Sequence, residues 1–330
     1  MMITARGLGK TFPGTGKSGG PVEAVSDLSL DVAAGELVAF LGPNGAGKST
    51  TLRLLTTLLP ASSGEASVVG CDIRRDPAGV RRRIGYIGQG SSAGYTQRVR
   101  DELHSQGAFY GIGRRETRLR ADELIESLDL GAIAGRQVQT LSGGQRRRVD
   151  IALGLIHRPE LLFLDEPSTG LDPQSRANLW QHIVELRRRY GTTIFLTTHY
   201  LDEAAHLADR AAVVRDGKVV ALGAPADLGG PDALRPVVRW ESDGVTHVER
   251  TDHPTALVTS LAARLAGPDG EVPGLRVLQP SLEDVYLELI GAAPSVPSGS
   301  APSAAAPPGF PRDAPNSAVP SAPVAEEASR

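Results

Sequence analysis

The chain has 330 residues, which is enough for one large domain or for a domain with an appendage. Hydrophobic residues make up 40% of it and charged residues 22%, a composition that excludes a fibrous, collagen-like or wholly disordered protein. The formal net charge is only −3, so overall charge gives no reason to expect a nucleic-acid partner, and any anion site must be local.

The single cysteine, Cys71, excludes an internal disulfide framework and fits a reducing compartment. The first twenty residues contain no apolar stretch long enough for a signal peptide. Nor does any segment approach the ~20 apolar residues that a membrane-crossing helix needs. We therefore expect a chain that does not enter a membrane by itself.

Residues 1 to about 230 alternate short β-rich runs with helical segments, an order that predicts an α/β domain with a mainly parallel sheet. A helical insert is predicted at about residues 90–135. The predicted strands are residues 3–8, 22–32, 36–41, 84–87, 161–164 and 193–197. The predicted helices are residues 48–59, 100–110, 116–130, 145–157 and 173–190.

Residues 231–291 have the pattern of a small α+β appendage. A hairpin is predicted there, with a turn at Ser242-Asp243-Gly244 that is one residue longer than the tightest type. Residues 292–330 are mostly Pro, Ala and Ser and cannot bury enough surface to offset the entropy of ordering, so we predict a disordered tail. The appendage elements are predicted at residues 237–240, 245–249, 255–266, 275–278 and after the capping pair Ser281 and Asp284.

Residues 42–49 read GPNGAGKS, a match to the G-x-x-x-x-G-K-[ST] pattern, between a predicted strand and a predicted helix. Such a loop turns several backbone N–H groups toward one point, where they can hold the phosphates of a nucleotide. Lys48 adds a positive charge, and Ser49 a hydroxyl for Mg²⁺. The predicted nucleotide-binding residues of this loop are Gly42, Pro43, Asn44, Gly45, Ala46, Gly47, Lys48, Ser49 and Thr50.

A second motif, LSGGQ, precedes a predicted helix. Its residues Ser142, Gly143, Gly144 and Gln145 can face an anion together with the positive end of the helix dipole. Taken alone, the motif also suits a simple N-cap and turn.

An acidic pair, Asp165-Glu166, ends an apolar run further along the chain. With the phosphate-binding loop, the LSGGQ motif and this pair together, residues 1–225 resemble the nucleotide-binding domain of an ATP-binding cassette protein. The resemblance implies a P-loop NTPase cassette with a mainly parallel sheet, an antiparallel β N-terminal subdomain and a helical insert. It also implies ATP and Mg²⁺ as ligands.

The resemblance assigns expected roles to particular residues. Asp165 is expected to hold Mg²⁺ through water, and Glu166 is expected to act as general base or to position the attacking water. Gln89 matches the position that senses Mg²⁺ and the γ-phosphate, and His199 matches the switch histidine that contacts the γ-phosphate. Phe12 lies where the family places an aromatic ring against adenine, although the loop after it is longer than usual and a core role for Phe12 stays open.

A further implication of the resemblance is that one chain cannot surround the γ-phosphate. We expect a head-to-tail homodimer, in which Ser142 and Gly144 of a second copy complete each site. Residues 168–172 resemble the loop that crosses this dimer interface, and Asp172 also suits a helix N-cap.

Three stretches, residues 157–180, 195–204 and 280–291, resemble the ATP-binding subunits of daunorubicin-resistance-type drug exporters of the ABC-2 group. This implies efflux of a drug-like or hydrophobic compound through a separate membrane-embedded permease, with the chain peripheral at the cytoplasmic face of the cell membrane. The helical insert is expected to dock on that partner. Phe109 and Tyr110 are candidate anchors, with a core role equally open for both.

The alternative is a soluble cassette ATPase that acts on DNA or ribosomes. Such proteins usually carry two cassettes, a long coiled coil or zinc-binding cysteines, and this chain has none of these features. Three arginine runs, residues 81–83, 146–148 and 187–189, could suggest nucleic acid. Each lies in or beside a predicted helix, where a solvated helix face is the commoner explanation, so no nucleic-acid partner is expected.

Overall fold

The computed structural model describes residues 1–14, 20–90, 92–94 and 96–291, and in this part of the chain the strands form three sheets. The tail predicted for residues 292–330 lies outside the described residues. The strands are β1 (Ile3–Phe12), β2 (Val22–Val32), β3 (Leu37–Leu41), β4 (Ser63–Val68), β5 (Cys71–Asp72), β6 (Ile84–Ile87), β7 (Leu161–Asp165), β8 (Thr193–Thr198), β9 (Arg210–Arg215), β10 (Lys218–Gly223), β11 (Val237–Ser242), β12 (Val245–Arg250) and β13 (Arg276–Leu278).

Helices cover both the central region and the C-terminal region. Short 3-10 turns lie at Gly131–Ile133, Val138–Thr140 and Pro225–Asp227. The α-helices are α1 (Lys48–Leu55), α2 (Pro77–Arg83), α3 (Val99–Phe109), α4 (Arg114–Ser127), α5 (Gly143–Leu155), α6 (Pro173–Tyr190), α7 (Leu201–Leu207), α8 (Pro254–Leu265) and α9 (Leu282–Leu289). Among the described residues, no helix combines the length and the apolar character that crossing a bilayer requires.

The six-stranded central sheet has the order β10-β9-β3-β8-β7-β6. Its strands run parallel except for β10, which pairs antiparallel with β9. Strands β3, β7 and β8 are buried along their whole length, because both faces of the sheet are covered and a continuous apolar run replaces alternation. The predicted α/β fold with a mainly parallel sheet is confirmed.

Successive residues of β3 face two different apolar clusters, as the two-residue period of a strand requires. Leu37 and Leu41 belong to the cluster that contains α5, α6 and the helical insert. Val38 and Phe40 belong to the cluster that contains α1 and the N-terminal strands. The central sheet therefore lies between two apolar cores, one on each of its faces.

The N-terminal strands form a four-stranded antiparallel sheet in the order β2-β1-β4-β5. Helix α1 was predicted to reach residue 59, and this was wrong: it ends at Leu55. Thr57 has a positive φ of 62°, and the amides of Leu58 and Leu59 both donate to the Arg53 carbonyl. The chain thus leaves the helix in a tight turn that returns it to β4.

In the C-terminal region, β11 lies between β12 and β13 in a three-stranded sheet. The predicted three-residue turn of its hairpin was wrong, because Ser242 stays in the ladder and pairs with Val245. Only Asp243 and Gly244 form the turn, and both have the positive φ that the tightest hairpin turns require.

The last helix, α9, packs against α7, and Tyr286 of α9 joins the core cluster of the central sheet.

The N-terminal sheet contains a close backbone approach that gives a stability prediction. A Cβ on Gly64 would lie 2.1 Å from the Gly7 carbonyl oxygen, whereas a Cβ on Gly35 would meet nothing within 4 Å. Both glycines have positive φ. Gly35→Ala is expected to cost about 1–2 kcal/mol of unfolding free energy from backbone strain alone.

Gly64→Ala is expected to cost at least about 1–3 kcal/mol more, because the backbone of β1 must shift to admit the methyl group. Urea unfolding of the two variants beside the parent chain measures the difference. Equal losses in both variants would contradict the close approach of β1 and β4.

Candidate functional site

Four predicted site segments meet at one edge of the central sheet. The carboxyl ends of neighbouring parallel strands lie at the same edge, so the residues that follow β3, β6, β7 and β8 converge there. These segments contain the phosphate-binding loop, Gln89, Glu166 and His199. The topology therefore brings together residues that are far apart in sequence.

Lys48 is the first residue of α1, and its side chain is 4% exposed. Its Nζ donates to the carbonyl oxygens of Gly42 (2.8 Å) and Pro43 (3.1 Å) and lies 3.3 Å from Glu166 Oε1. Gly47 precedes it with a φ of 97°, and a Cβ there would lie 2.3 Å from the Ala24 carbonyl oxygen. The loop thus folds tightly against β2 with the ammonium group held at its centre.

The carboxylate of Asp165 lies next to the loop. Its Oδ1 accepts hydrogen bonds from Ser49 Oγ (3.0 Å) and from Thr197 Oγ1 (2.6 Å). Gln89 Nε2 in turn donates to Ser49 Oγ at 3.4 Å. Three segments therefore bring a hydroxyl, a carboxylate and an amide to one point.

This set of groups fits a magnesium ion. Mg²⁺ prefers oxygen ligands, keeps several of its waters and is usually held by few protein groups together with substrate phosphates. The Ser49 hydroxyl and the Asp165 carboxylate supply oxygen atoms of this kind beside the phosphate-binding loop. The side-chain amide of Gln89, which also carries an oxygen, contacts Ser49 Oγ through its nitrogen. In the described residues no cluster of three or more His, Cys, Asp or Glu side chains offers a separate metal site.

Glu166 occupies the centre of the group and has a strained backbone. Its φ is 46°, a value that non-glycine residues rarely adopt. The amide of Glu166 donates to the Thr197 carbonyl (3.0 Å) and hydroxyl (3.1 Å) oxygens, which fixes this conformation. Its Oε2 accepts a hydrogen bond from Thr169 Oγ1 at 3.2 Å. The carboxylate faces the loop of residues 42–49, with Oε1 3.3 Å from Lys48 Nζ.

His199 lies on the far side of Glu166. Its Nδ1 is 3.3 Å from Glu166 Oε2, and within the described residues it has no aligned hydrogen-bond partner. The imidazole ring packs against Tyr200, with ring centroids 4.1 Å apart. His199 therefore lies in contact with Glu166, beside the acidic pair.

The LSGGQ residues occupy a different part of the surface. Ser142 is exposed and is the N-cap of α5, where its Oγ accepts from the Gln145 amide while Gln145 Oε1 accepts from the Ser142 amide. The N-cap interpretation of this motif is therefore correct for the single chain. Gly143 lines a cavity that Gln89 and Glu166 also line, so the motif borders the site without covering the phosphate-binding loop.

Phe12 is half-buried at the end of β1 and pairs with Val22 of β2. Lys10 Nζ lies 5.2 Å from the centre of its ring. Phe12 is not among the residues that line the cavity at the phosphate-binding loop. That cavity has a volume of about 200 Å³ and is lined by Ala24, Asn44, Gly45, Gly47, Lys48, Ser49, Thr50, Gln89 and Glu166.

Several polar residues at the site were not predicted from the sequence. Thr197 binds the acidic pair directly but carries no motif of its own. Thr169 also binds it, and although residues 168–172 were singled out, no contact with Glu166 was predicted for them. The arginine run at residues 146–148 was interpreted as a solvated face, which is wrong for Arg147: it is only 7% exposed, and burial lowers the pKa of its guanidinium group. Asp150, one helical turn further, is 2% exposed. The sequence signal for their burial was the i, i+3 spacing of two opposite charges on the apolar side of a helix.

A further buried acid follows the histidine. Glu203 of α7 is fully buried, and Trp180 Nε1 of α6 donates to its Oε1 at 2.9 Å. Burial raises the pKa of this carboxyl group, opposed by hydrogen bonds. Trp180 also stacks on His206 of α7. These contacts hold the helix after His199 against α6.

The parallel sheet, the phosphate-binding loop at the start of α1 and the acidic pair beside Lys48 define an ATP-binding cassette ATPase. The ABC transporter family profile matches residues 25–169. The chain is 41% identical over 313 residues to the daunorubicin/doxorubicin resistance ATP-binding protein DrrA of Streptomyces peucetius, a match that covers 88% of this chain and 92% of that protein. The chain belongs to the ABC transporter ATP-binding proteins, and it binds and hydrolyses ATP.

Other relatives extend this comparison. The linearmycin resistance ATP-binding protein LnrL of Bacillus subtilis is 32% identical over 299 residues, with 83% of this chain and 96% of that protein covered. Among solved structures, the ATP-binding cassette MJ0796, a dimer in a post-hydrolysis state bound to ADP and Pi, gives a TM-score of 0.61. It is 25% identical and covers 68% of this chain and 98% of its own.

Thr197 gives a prediction for the site. Thr197→Val keeps the shape of the side chain but removes the hydroxyl that binds both Asp165 and the Glu166 amide. We expect kcat for ATP hydrolysis to fall about tenfold or more, with ATP binding little changed, because the acidic pair loses its orientation.

Thr193→Val is the matched control, since Thr193 is a buried threonine at the other end of β8 whose hydroxyl accepts from the Gly35 amide. Both variants are expected to lose about 1–3 kcal/mol of stability. Steady-state ATPase kinetics well below the unfolding temperature separate them. A Thr197→Val variant as active as Thr193→Val would contradict the role of Thr197.

Proposed function

We propose that the chain is the ATP-hydrolysing subunit of an exporter and drives efflux of a drug-like or hydrophobic compound through a separate membrane-embedded subunit. The names of the relatives support this, since DrrA is a daunorubicin/doxorubicin resistance protein and LnrL a linearmycin resistance protein. The observation that carries the ATPase part is the contact of Lys48 with Glu166 beside Asp165. The alternative, an ATPase acting on DNA or ribosomes, has no support among these relatives.

In the proposed reaction, the residues of the phosphate-binding loop and Lys48 bind the phosphates of ATP. Ser49, Gln89 and Asp165 would hold Mg²⁺, which when bound neutralises charge on the phosphates. Glu166 orients the attacking water and accepts its proton at the carboxylate oxygens that face the loop. His199 contacts the γ-phosphate. Phe12 contacts the adenine ring.

We also propose that two copies form each complete site. Ser142 is exposed in the single chain, and α5 starts directly behind it. Its hydroxyl and the amides of Gly143 and Gly144 can therefore bind a phosphate of the nucleotide held by another subunit. Gln145 fixes this turn through the capping box. The related cassette MJ0796, which was solved as a dimer, supports this arrangement.

The membrane partner would dock on the helical insert, with the chain peripheral at the cytoplasmic face of the cell membrane. Phe109 at the end of α3 is 82% exposed and makes an edge contact with Tyr110. Tyr110 is partly buried and stacks on His157 with ring centroids 3.9 Å apart. Of the two candidate anchors, Phe109 has the exposure of a docking residue, whereas Tyr110 packs against the core. In this scheme residues 1–230 form the cassette and residues 231–291 the appendage.

Glu166→Gln tests the proposed chemistry. Glutamine keeps the size of the side chain but cannot accept the proton, so we expect near-complete loss of turnover with ATP still bound. Size-exclusion chromatography with ATP should then show an accumulated dimer. Glu160→Gln is the matched control, because Glu160 is an exposed carboxylate that pairs with Arg83. Normal turnover by Glu166→Gln would remove Glu166 from its proposed role.

Export is tested in cells. The chain is co-expressed with a multi-span membrane protein encoded by an adjacent gene, where the genome has one, and efflux of a fluorescent anthracycline is measured from loaded cells. We expect efflux with the parent chain and none above background with Glu166→Gln, together with co-purification of the two proteins. Full ATPase activity without co-purification or efflux would refute the exporter assignment and leave the ATPase assignment intact.

A further inference from the structure

Two buried charged residues of α5 contact the backbone of the segments that carry Gln89 and Glu166. Arg147 and Asp150 are 7% and 2% exposed and lie three positions apart, so they project from the same side of the helix. The helix that carries them begins at the LSGGQ motif, with Ser142 as its N-cap. Neither residue belongs to the phosphate-binding loop, the acidic pair or the proposed magnesium ligands.

Arg147 binds three backbone carbonyl groups from two separate loops. Its Nη1 donates to the Gly88 oxygen at 2.7 Å, immediately before Gln89. Its Nη2 donates to the Asp165 oxygen at 3.1 Å, and its Nε donates to the Pro167 oxygen at 2.9 Å. The last two carbonyl groups lie on either side of Glu166. One guanidinium group therefore fixes the backbone before Gln89 and around Glu166.

Asp150 binds backbone amides that follow Gln89. We call the described residues 88–90 and 92–93 the Gln89 loop. Its Oδ1 accepts hydrogen bonds from the amides of Ser92 (2.8 Å) and Ala93 (3.2 Å). The negative charge of Asp150 also opposes the lowering of the Arg147 pKa by burial. Arg147 therefore binds the backbone just before Gln89, and among the described residues Asp150 binds the backbone just after it.

Energetics argue that this pair does more than fill space. Removing two charged groups from water costs several kcal/mol each, and well-packed apolar residues of similar volume are often as stabilising or more so. What a guanidinium group and a carboxylate add is direction, because each donor and acceptor fixes one backbone group. Among the described residues, the backbone groups that bind Arg147 and those that donate to Asp150 Oδ1 flank Gln89 or Glu166.

We propose that Arg147 and Asp150 are positioning residues of the ATPase reaction, which tie the Gln89 loop and the Glu166 segment to the helix that begins at the LSGGQ motif. This inference rests on the roles proposed above for Gln89 and Glu166. Neither residue lines the cavity at the phosphate-binding loop. They act by holding the Gln89 side chain over Ser49 and the Glu166 carboxylate over the phosphate-binding loop.

The experiment is a double-mutant cycle on the full-length chain, with kcat and KM for ATP as readouts. Asp150→Ala is expected to lower kcat about 10- to 100-fold with little change in KM, because the Gln89 loop loses its anchor. Asp150→Asn keeps the Oδ1 acceptor and is expected to retain kcat within about threefold. Asp122→Ala is the control, since Asp122 is an exposed carboxylate of α4 that pairs with Arg100.

The cycle separates positioning from general stability. In a Gln89→Ala background, Asp150→Ala is expected to have little further effect on kcat, since the side chain that it positions is already absent. An equal loss in both backgrounds would overturn the proposal for Asp150 and leave the proposed function untouched. A Gln89→Ala variant with full kcat would refute the role of Gln89 itself. Thermal unfolding checks each variant, and Asp150→Ser replaces Asp150→Ala in the cycle if the latter does not fold.

Arg147 is tested with a substitution that keeps its positive charge. Arg147→Lys keeps the positive charge but replaces the planar fork with a single ammonium group, which cannot reach three carbonyl groups in two loops. We expect kcat to fall about as far as in Arg147→Met, with ATP binding retained. Full kcat in Arg147→Lys would show that charge alone suffices, and it would overturn the proposed positioning by Arg147.

Discussion

The buried ammonium group of Lys48 is the constraint on which the site depends. A charge that is 4% exposed must be paired or bound by hydrogen-bond acceptors, and here two carbonyl groups of its own loop and the Glu166 carboxylate do this. These contacts hold the loop and the end of β7 together. In the proposed reaction the phosphates of ATP bring further negative charge to this point, so the group that holds the loop and the end of β7 together would also bind the substrate.

Two structural devices position the groups around Lys48. The parallel order of β3, β8, β7 and β6 brings four loops to one edge of the sheet, which explains why residues distant in sequence meet. Helix α5 then crosses behind two of these loops and fixes their backbone through Arg147 and Asp150. Ser142 is the N-cap of the same helix, so the surface proposed to serve a second subunit and the residues that bind the backbone around Gln89 belong to one helix.

Much of this could be predicted from the sequence, because the phosphate-binding loop, the acidic pair and the strand-helix alternation are local patterns with known mechanics. Helix α6 was predicted with its observed bounds, since Asp172 caps it, Pro173 begins it and Gly191 ends it. Three predictions failed at points that no sequence motif marks. The end of α1 is set by a turn at Thr57, and the hairpin turn is set by the pairing of Ser242. The burial of Arg147 follows from two loops that only the folded sheet places beside it.

The central claim, that each reaction site needs residues of two copies, is tested most directly by mixing two inactive variants. Lys48→Ala disables the phosphate-binding loop of one subunit, and Ser142→Arg disables the LSGGQ surface of the other. A mixed dimer then contains one site with Lys48 from one subunit and Ser142 from the other, both intact. The account predicts that each variant alone lacks ATPase activity and that activity returns on mixing. A mixture as inactive as its two components would contradict it.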